Sequence, residues 1–143
     1  MPRIGSRRSE IVALFVGNAA AQYDELCRIF GEMRWHLAHA SSWRRALCLP
    51  ELPLFTHFVY EHTPGDHAWI AALEDVQGLR GAPAFILTTR TGGQELWSEV
   101  LNRGGYDVLL EPFDLMEVAR VIRAARKHSL RQCGPPAMAA AEY

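Results

Sequence analysis

Apolar positions along the chain follow two alternating rhythms. Ile11-Val12-Ala13-Leu14-Phe15-Val16 is an unbroken apolar run, the pattern of a strand buried on both faces. Gly17-Asn18 closes it with turn chemistry. Tyr23, Leu26, Cys27, Phe30 and Met33 then recur at helical spacing. The pair repeats along the chain. Trp35 to His39 predicts a short second strand, followed by a short helix with Trp43, Ala46 and Leu47 that Ser41 or Ser42 caps. Leu54 to Tyr60, rich in aromatic and β-branched residues, predicts a third strand. Asp66, after the Pro64-Gly65 turn, caps a helix carrying Trp69, Ile70, Leu73 and Val76. Ala84 to Thr88 predicts a fourth strand. Leu96, Trp97, Val100 and Leu101 share one face of a helix that Gly104-Gly105 stops. Asp107 to Leu110 predicts the fifth strand. Asp114 and Glu117 form a capping pattern ahead of a helix that buries Leu115, Val118, Ala119, Ile122 and Ala125.

Strict strand–helix alternation predicts an α/β domain: a (βα)5 doubly wound sheet of five parallel strands with right-handed crossovers and helices on both faces. Functional groups in such sheets gather at the carboxyl ends of the strands, near the topological switch point. Here those positions are Gly17, Asn18, Tyr60, Glu61, His62, Thr88, Thr89 and Glu111. The expected organisation is a flexible arm over residues 1–10, one domain over 11–128 and a tail over 129–143. A chain of 143 residues suits a single core.

Charge and composition narrow the function classes. The net charge of -1 gives no global basic field, so a nucleic-acid partner is not expected. The cations are nonetheless uneven: Arg3, Arg7 and Arg8 lie in the arm, and Arg120, Arg123, Arg126, Lys127 and Arg131 lie in or just past the last helix. Either the latter offset a helix macrodipole, or they form a docking surface for acidic partners. Cys27, Cys48 and Cys133 contain no Cys-x-x-Cys pair and suggest neither zinc nor a disulfide framework. Reduced thiols fit a cytoplasmic protein. No run approaches the ~20 apolar residues of a membrane span, so no membrane partner is expected. His36 and His39 would face opposite sides of a strand, and no residue cluster has metal-ligand spacing. No nucleophile–base pattern stands out, so enzymatic activity is not expected.

The stretch Gly104-Gly105-Tyr106-Asp107-Val108-Leu109-Leu110-Glu111-Pro112-Phe113-Asp114 is similar to the Gly-Ala-x-x-Tyr-Leu-x-Lys-Pro-Phe-Asp stretch of response-regulator receiver domains of bacterial two-component systems. Ile86-Leu87-Thr88-Thr89 resembles their fourth-strand Leu-Thr-Ala, and Thr63-Pro64-Gly65 resembles their Met-Pro-Gly loop. The likeness runs from Ile11 to His128. It implies a flavodoxin-like receiver fold with a phosphoryl-transfer site. That site uses an Asp nucleophile, a Mg²⁺ held by acidic residues and a Lys that neutralises charge. A Thr or Ser hydroxyl there grips the phosphoryl group and moves an aromatic residue that signals outward.

This chain departs from that pattern residue by residue. The acidic pair after the first strand matches Gly17-Asn18. The acceptor matches Glu61 if the loop before Pro64 is one residue short, or Tyr60 if its length is kept; Glu61 leaves the third strand unbroken. Thr88 keeps the hydroxyl. Glu111 stands at the Lys position, Pro112 and Phe113 are retained, and the aromatic switch position is Val108. The resemblance implies a cis Glu111-Pro112 bond. If Glu61 and Glu111 converge, one must be protonated or paired with a cation; Arg90 or His62 is expected to supply that charge.

The resulting expectation is a pseudo-receiver that lacks the phosphorylation residues and takes no cofactor. It would act by binding a signalling protein, with a homodimer as a further partner state. Its expected interface holds Trp97, Val108 and Phe113 on the face of the fourth helix, fifth strand and fifth helix. Two alternatives stand: phosphorylation by an unusual route, or a small-molecule sensor that uses the vacated pocket.

Overall fold

The computed structural model describes residues 10–133. The expected arm over Met1–Ser9 and the tail from Gly134 onward lie outside the described residues. Five strands, β1 (Val12–Val16), β2 (His36–Ala40), β3 (His57–Glu61), β4 (Ala84–Thr89) and β5 (Asp107–Leu110), form one parallel sheet in the order β2-β1-β3-β4-β5. Helices α1 (Ala20–Met33), α2 (Trp43–Leu47), α3 (Ala68–Gln77), α4 (Gln94–Asn102) and α5 (Leu115–Cys133) follow each strand in turn. This is the doubly wound arrangement the sequence pattern predicts.

The period-2 alternation of strand side chains divides the core into two layers. Ala13 and Phe15 of β1, Val59 of β3, Ile86 of β4 and Leu109 of β5 pack under α1 and α5 with Leu26, Phe30, Val118 and Ile122. Leu14, Phe58, Phe85 and Leu87 face the other way, against Trp69, Leu73, Val76 and Val100 of α3 and α4. Every residue of β1 is buried, as a central strand covered on both sides must be.

Several element boundaries shift from expectation by one residue, and two shift further. β3 begins at His57 rather than Leu54, because Leu52–Leu54 forms a 3-10 turn around Pro53. A proline has no N–H to give to a sheet ladder. At the other end of the chain α5 continues past His128 to Cys133. Val118, Ile122, Ala125 and Ser129 keep helical spacing and are all buried, Ser129 being 3% exposed. A residue that buried belongs to the domain, not to a tail.

Side-chain caps set several helix starts. Ser42 accepts from the Arg45 amide at 3.2 Å, Asp66 from Ala68 at 2.9 Å and Asp114 from Glu117 at 2.9 Å. Gly104, with φ of 101°, ends α4 in a conformation that favours glycine.

Candidate functional site

The strand order reverses between β1 and β3, and this switch point is where a doubly wound sheet opens a crevice. Alternation decides which side chains enter it. Gly17 continues the Ala13–Phe15 series, Glu61 the His57–Val59 series, Thr88 the Ala84–Ile86 series and Glu111 the Asp107–Leu109 series. The side chains of Glu61, Thr88 and Glu111 therefore project toward α1 and α5, and Gly17 leaves that face open. Tyr60 projects to the opposite layer, where its ring lies 5.9 Å from that of Phe85. The residue at the end of β3 that faces the crevice is Glu61, which pairs in register with Thr88.

The crevice is partly occupied by its own side chains. The segment before α1, Gly17-Asn18-Ala19, holds no capping oxygen on the Ncap residue, Ala19. Glu61 supplies one from across the sheet: its Oε1 accepts from the Asn18 amide at 2.8 Å and the Ala19 amide at 3.1 Å. A carboxylate at the amino end of a helix is favoured by the exposed N–H groups and by the macrodipole. Gly17 makes the approach possible. A Cβ there would lie 2.6 Å from Glu61 Cβ and would overlap the carboxylate oxygen.

Thr88 is fully buried, and its hydroxyl donates to Gln22 Oε1 of α1 at 3.2 Å. Gln22 is itself only 8% exposed. The second carboxylate of the crevice, Glu111, directly follows β5 with a side chain 10% exposed. Arg90 Nε lies 3.6 Å from its Oε1. Burial raises the Glu111 pKa, Arg90 opposes that shift, and the Glu61 and Glu25 carboxylates add to it. The expected cation is thus Arg90. His62 turns away, its Nδ1 3.3 Å from the Thr89 hydroxyl. Burial lowers the His62 pKa, against the Asp66 carboxylate. The Glu111-Pro112 peptide bond is cis.

Mg²⁺ is the metal that a receiver fold implies, and the residues present do not fit it. Mg²⁺ requires several oxygen donors in octahedral array. Gly17 and Asn18 bring no carboxylate, and Glu61 Oε1 already accepts two amide hydrogens. Among the described residues no group of three His, Cys, Asp or Glu side chains could hold a metal ion.

The proposed interface residues separate. Trp97 is 43% exposed, and its indole N–H donates to Asp107 Oδ1 at 3.1 Å, which joins α4 to β5. Val108 is half-buried against the α3–α4 layer. Phe113 is 7% exposed and packs in the α1–α5 layer, so it anchors the start of α5 rather than contacting a partner. Leu110 and Met116, 49% and 75% exposed, are the apolar residues that this edge presents instead.

Solved structures match the whole arrangement. A CheY-like response regulator receiver domain protein from Methanospirillum hungatei aligns with a TM-score of 0.72 at 18% identity, over 87% of this chain and 99% of that one. The fold is that of a response-regulator receiver. The receiver domain of an HD domain-containing protein from Pseudomonas fluorescens gives 0.69 at 21% identity, over 84% and 97%. A pilus assembly-related protein from Burkholderia pseudomallei gives 0.66 at 21%, over 90% and 95%. No protein-family model matches the sequence, and no curated protein does.

On this receiver fold, sequence reasoning located Glu61, Thr88 and Glu111 but missed Gln22 and the use Glu61 makes of Gly17. One signal was available. A helix start of Gly-Asn-Ala-Ala lacks a capping side chain of its own at Ncap, so its amides need an acceptor from elsewhere.

Proposed function

We propose that this chain is a receiver-like signalling module that works without aspartyl phosphorylation, by binding another protein. The observation that carries the reading is the engagement of Glu61. Its carboxylate is bound to the amino end of α1 over Gly17, so the group at the acceptor position is committed to holding two elements together. The buried Thr88–Gln22 bond supports the same reading, since that hydroxyl has a protein partner already. The Lys position carries Glu111, a carboxylate that would repel an incoming phosphoryl group, with Arg90 beside it at 3.6 Å.

The test is incubation with Mg²⁺ and a small acyl phosphate donor, followed by intact mass. The expected result is an unmodified chain. A stable phosphate adduct that disappears in Glu61→Gln would overturn the proposal.

A further inference from the structure

The outer face of α5 carries a row of cations. Counting 100° per residue, Arg120, Arg123, Lys127 and Arg131 fall within an arc of roughly 80° and rise over roughly 17 Å of helix. All four are exposed. The arc lies opposite the buried row of Val118, Ile122, Ala125 and Ser129. From Val118 through Cys133 the helix contains no Asp or Glu. The nearest carboxylate on it, Glu117, is half-buried, and among the described residues neither it nor any of the four cations forms an ion pair. Arg123 is oriented by stacking over Trp35, 5.6 Å from the ring centroid. Met116, 75% exposed, stands on the same arc at its amino end.

Offsetting the helix macrodipole does not account for this row. That effect is confined to the last turn, where Arg131 lies. Arg120 and Arg123 lie in the first half of a 19-residue helix, where a cation gains nothing from the dipole. Solvation alone would be served by mixed charges, which also give favourable i,i+4 pairs. A single-sign row instead creates self-repulsion that a ligand of opposite sign relieves.

We infer that the outer face of α5 is a docking site for an acidic segment of a partner protein, with Asp or Glu side chains along one face of a helix. The cations are spaced i, i+3, i+7, i+11, the same rise at which an α-helix repeats its own side chains along one face. Three of the four are arginines, whose planar guanidinium suits two-point pairing with carboxylates. Met116 gives the row one apolar contact. A nucleic acid fits less well: the chain as a whole is negative, and one file of four cations is narrow for a duplex backbone. An anionic membrane fits less well too, because Met116 alone is too little exposed apolar surface beside the row to enter the bilayer. The inference shares with the proposed function the premise of a protein partner. It does not depend on the phosphodonor result.

The experiment is fluorescence anisotropy of the full chain with a labelled helical peptide bearing Glu along one face. A peptide of the same composition with its Glu residues scattered around the helix, a duplex oligonucleotide and phosphatidylserine vesicles serve as alternative probes. The expected result is saturable binding to the one-faced peptide, tighter than to the scattered one and weakened by salt. Arg120→Glu with Arg123→Glu should weaken it by about tenfold, since exposed charge pairs contribute up to ~1 kcal/mol each. Arg120→Gln with Arg123→Gln should weaken it less, and retains a folded control if the reversal disturbs the helix. Arg44→Gln and Arg45→Gln, cations of α2, should leave it unchanged. Absence of peptide binding, indifference to the α5 substitutions, or preference for the oligonucleotide or vesicles would each overturn the inference. A phosphate adduct in the earlier assay alongside peptide binding would remove the proposed function and leave the docking site standing.

Discussion

The two ends of the β-sheet both bury polar groups, and they do so differently. At the carboxyl end, Glu61, Thr88 and Glu111 are charged or polar groups in a half-open crevice, held by α1 amides, Gln22 and Arg90. At the amino end, His57 is fully buried and neutral. Its Nε2–H donates to the Ile122 carbonyl of α5 at 2.9 Å, and its Nδ1 lies 2.7 Å from the Thr56 hydroxyl. Burial drives its pKa down to about 4, helped by the nearby Arg126 charge and opposed by the bond to Ile122. The amino end is sealed at His57. The carboxyl end is closed only by contacts between side chains and a helix start. That contrast teaches where substitutions should be costly and where they should be tolerated.

The largest effect is expected at the sealed end. His57→Ala removes a fully buried ring and its hydrogen bonds between β3 and α5, which should cost about 3–4 kcal/mol in denaturant unfolding. A loss below about 1 kcal/mol would show that the amino end is no more rigid than the crevice.

The same histidine gives a pH dependence of fixed sign. Unfolded, it titrates near 6.5; folded, near 4. Between those values the unfolded chain binds more protons, so stability falls as pH drops through the window and levels off below it. The full change is about 3 kcal/mol. His57→Leu, which cannot titrate, should flatten this part of the stability–pH curve even if it lowers the whole curve. A wild-type curve flat from pH 6.5 to 4 would remove the buried-neutral assignment.

The contrast between the ends was only partly legible in the sequence. The strand runs, the alternation and the retained Pro112-Phe113 were enough to place β1 through β5 and the crevice, because burial on two faces imposes continuous apolar runs. Period-2 counting could also have assigned Glu61, Thr88 and Glu111 to one face. What Glu61 does there was not legible. Its partners are backbone amides 42 and 43 residues away, and no side-chain pattern records an amide's direction. Phe113 read as an interface residue because the resemblance points to the face of the fourth helix, fifth strand and fifth helix; its ring turns inward once α5 packs on the sheet. His57 gave no signal, since one histidine in an apolar strand has the same pattern whether it is bonded or merely covered. The cations of α5 were visible throughout. Their common arc required knowing that the helix runs on to Cys133.

At the crevice, the pair Gly17 and Glu61 offers an intermediate effect that isolates one contact. Gly17→Ala places a Cβ against Glu61 and should cost about 1–3 kcal/mol, the range of overpacking. In a Glu61→Gly background the carboxylate and the Cβ that the added methyl would meet are both gone. The two substitutions together should then cost clearly less than the sum of each alone, a coupling of about 1 kcal/mol or more. Strict additivity would mean that Glu61 does not occupy the space over Gly17 in solution.

The smallest effect is expected at Glu111, and its sign tests the electrostatics of the crevice. Because burial and the neighbouring carboxylates raise its pKa, the folded chain binds the proton more tightly than the unfolded chain. Stability contributed by that proton is therefore present at low pH and lost as pH rises past the unfolded value of 4.5. Glu111→Gln removes the loss and also removes the pairing with Arg90. Arg90 is 79% exposed on its side chain, so the pairing is screened and contributes little. Glu111→Gln should accordingly be neutral or slightly stabilising at pH 7, by no more than about 0.5 kcal/mol, with the difference vanishing toward pH 4. Clear destabilisation at pH 7 would mean that Arg90 and Glu111 form a tighter pair than their exposure allows. The open end of the sheet would then be held by charge as firmly as the closed end is held by its buried histidine.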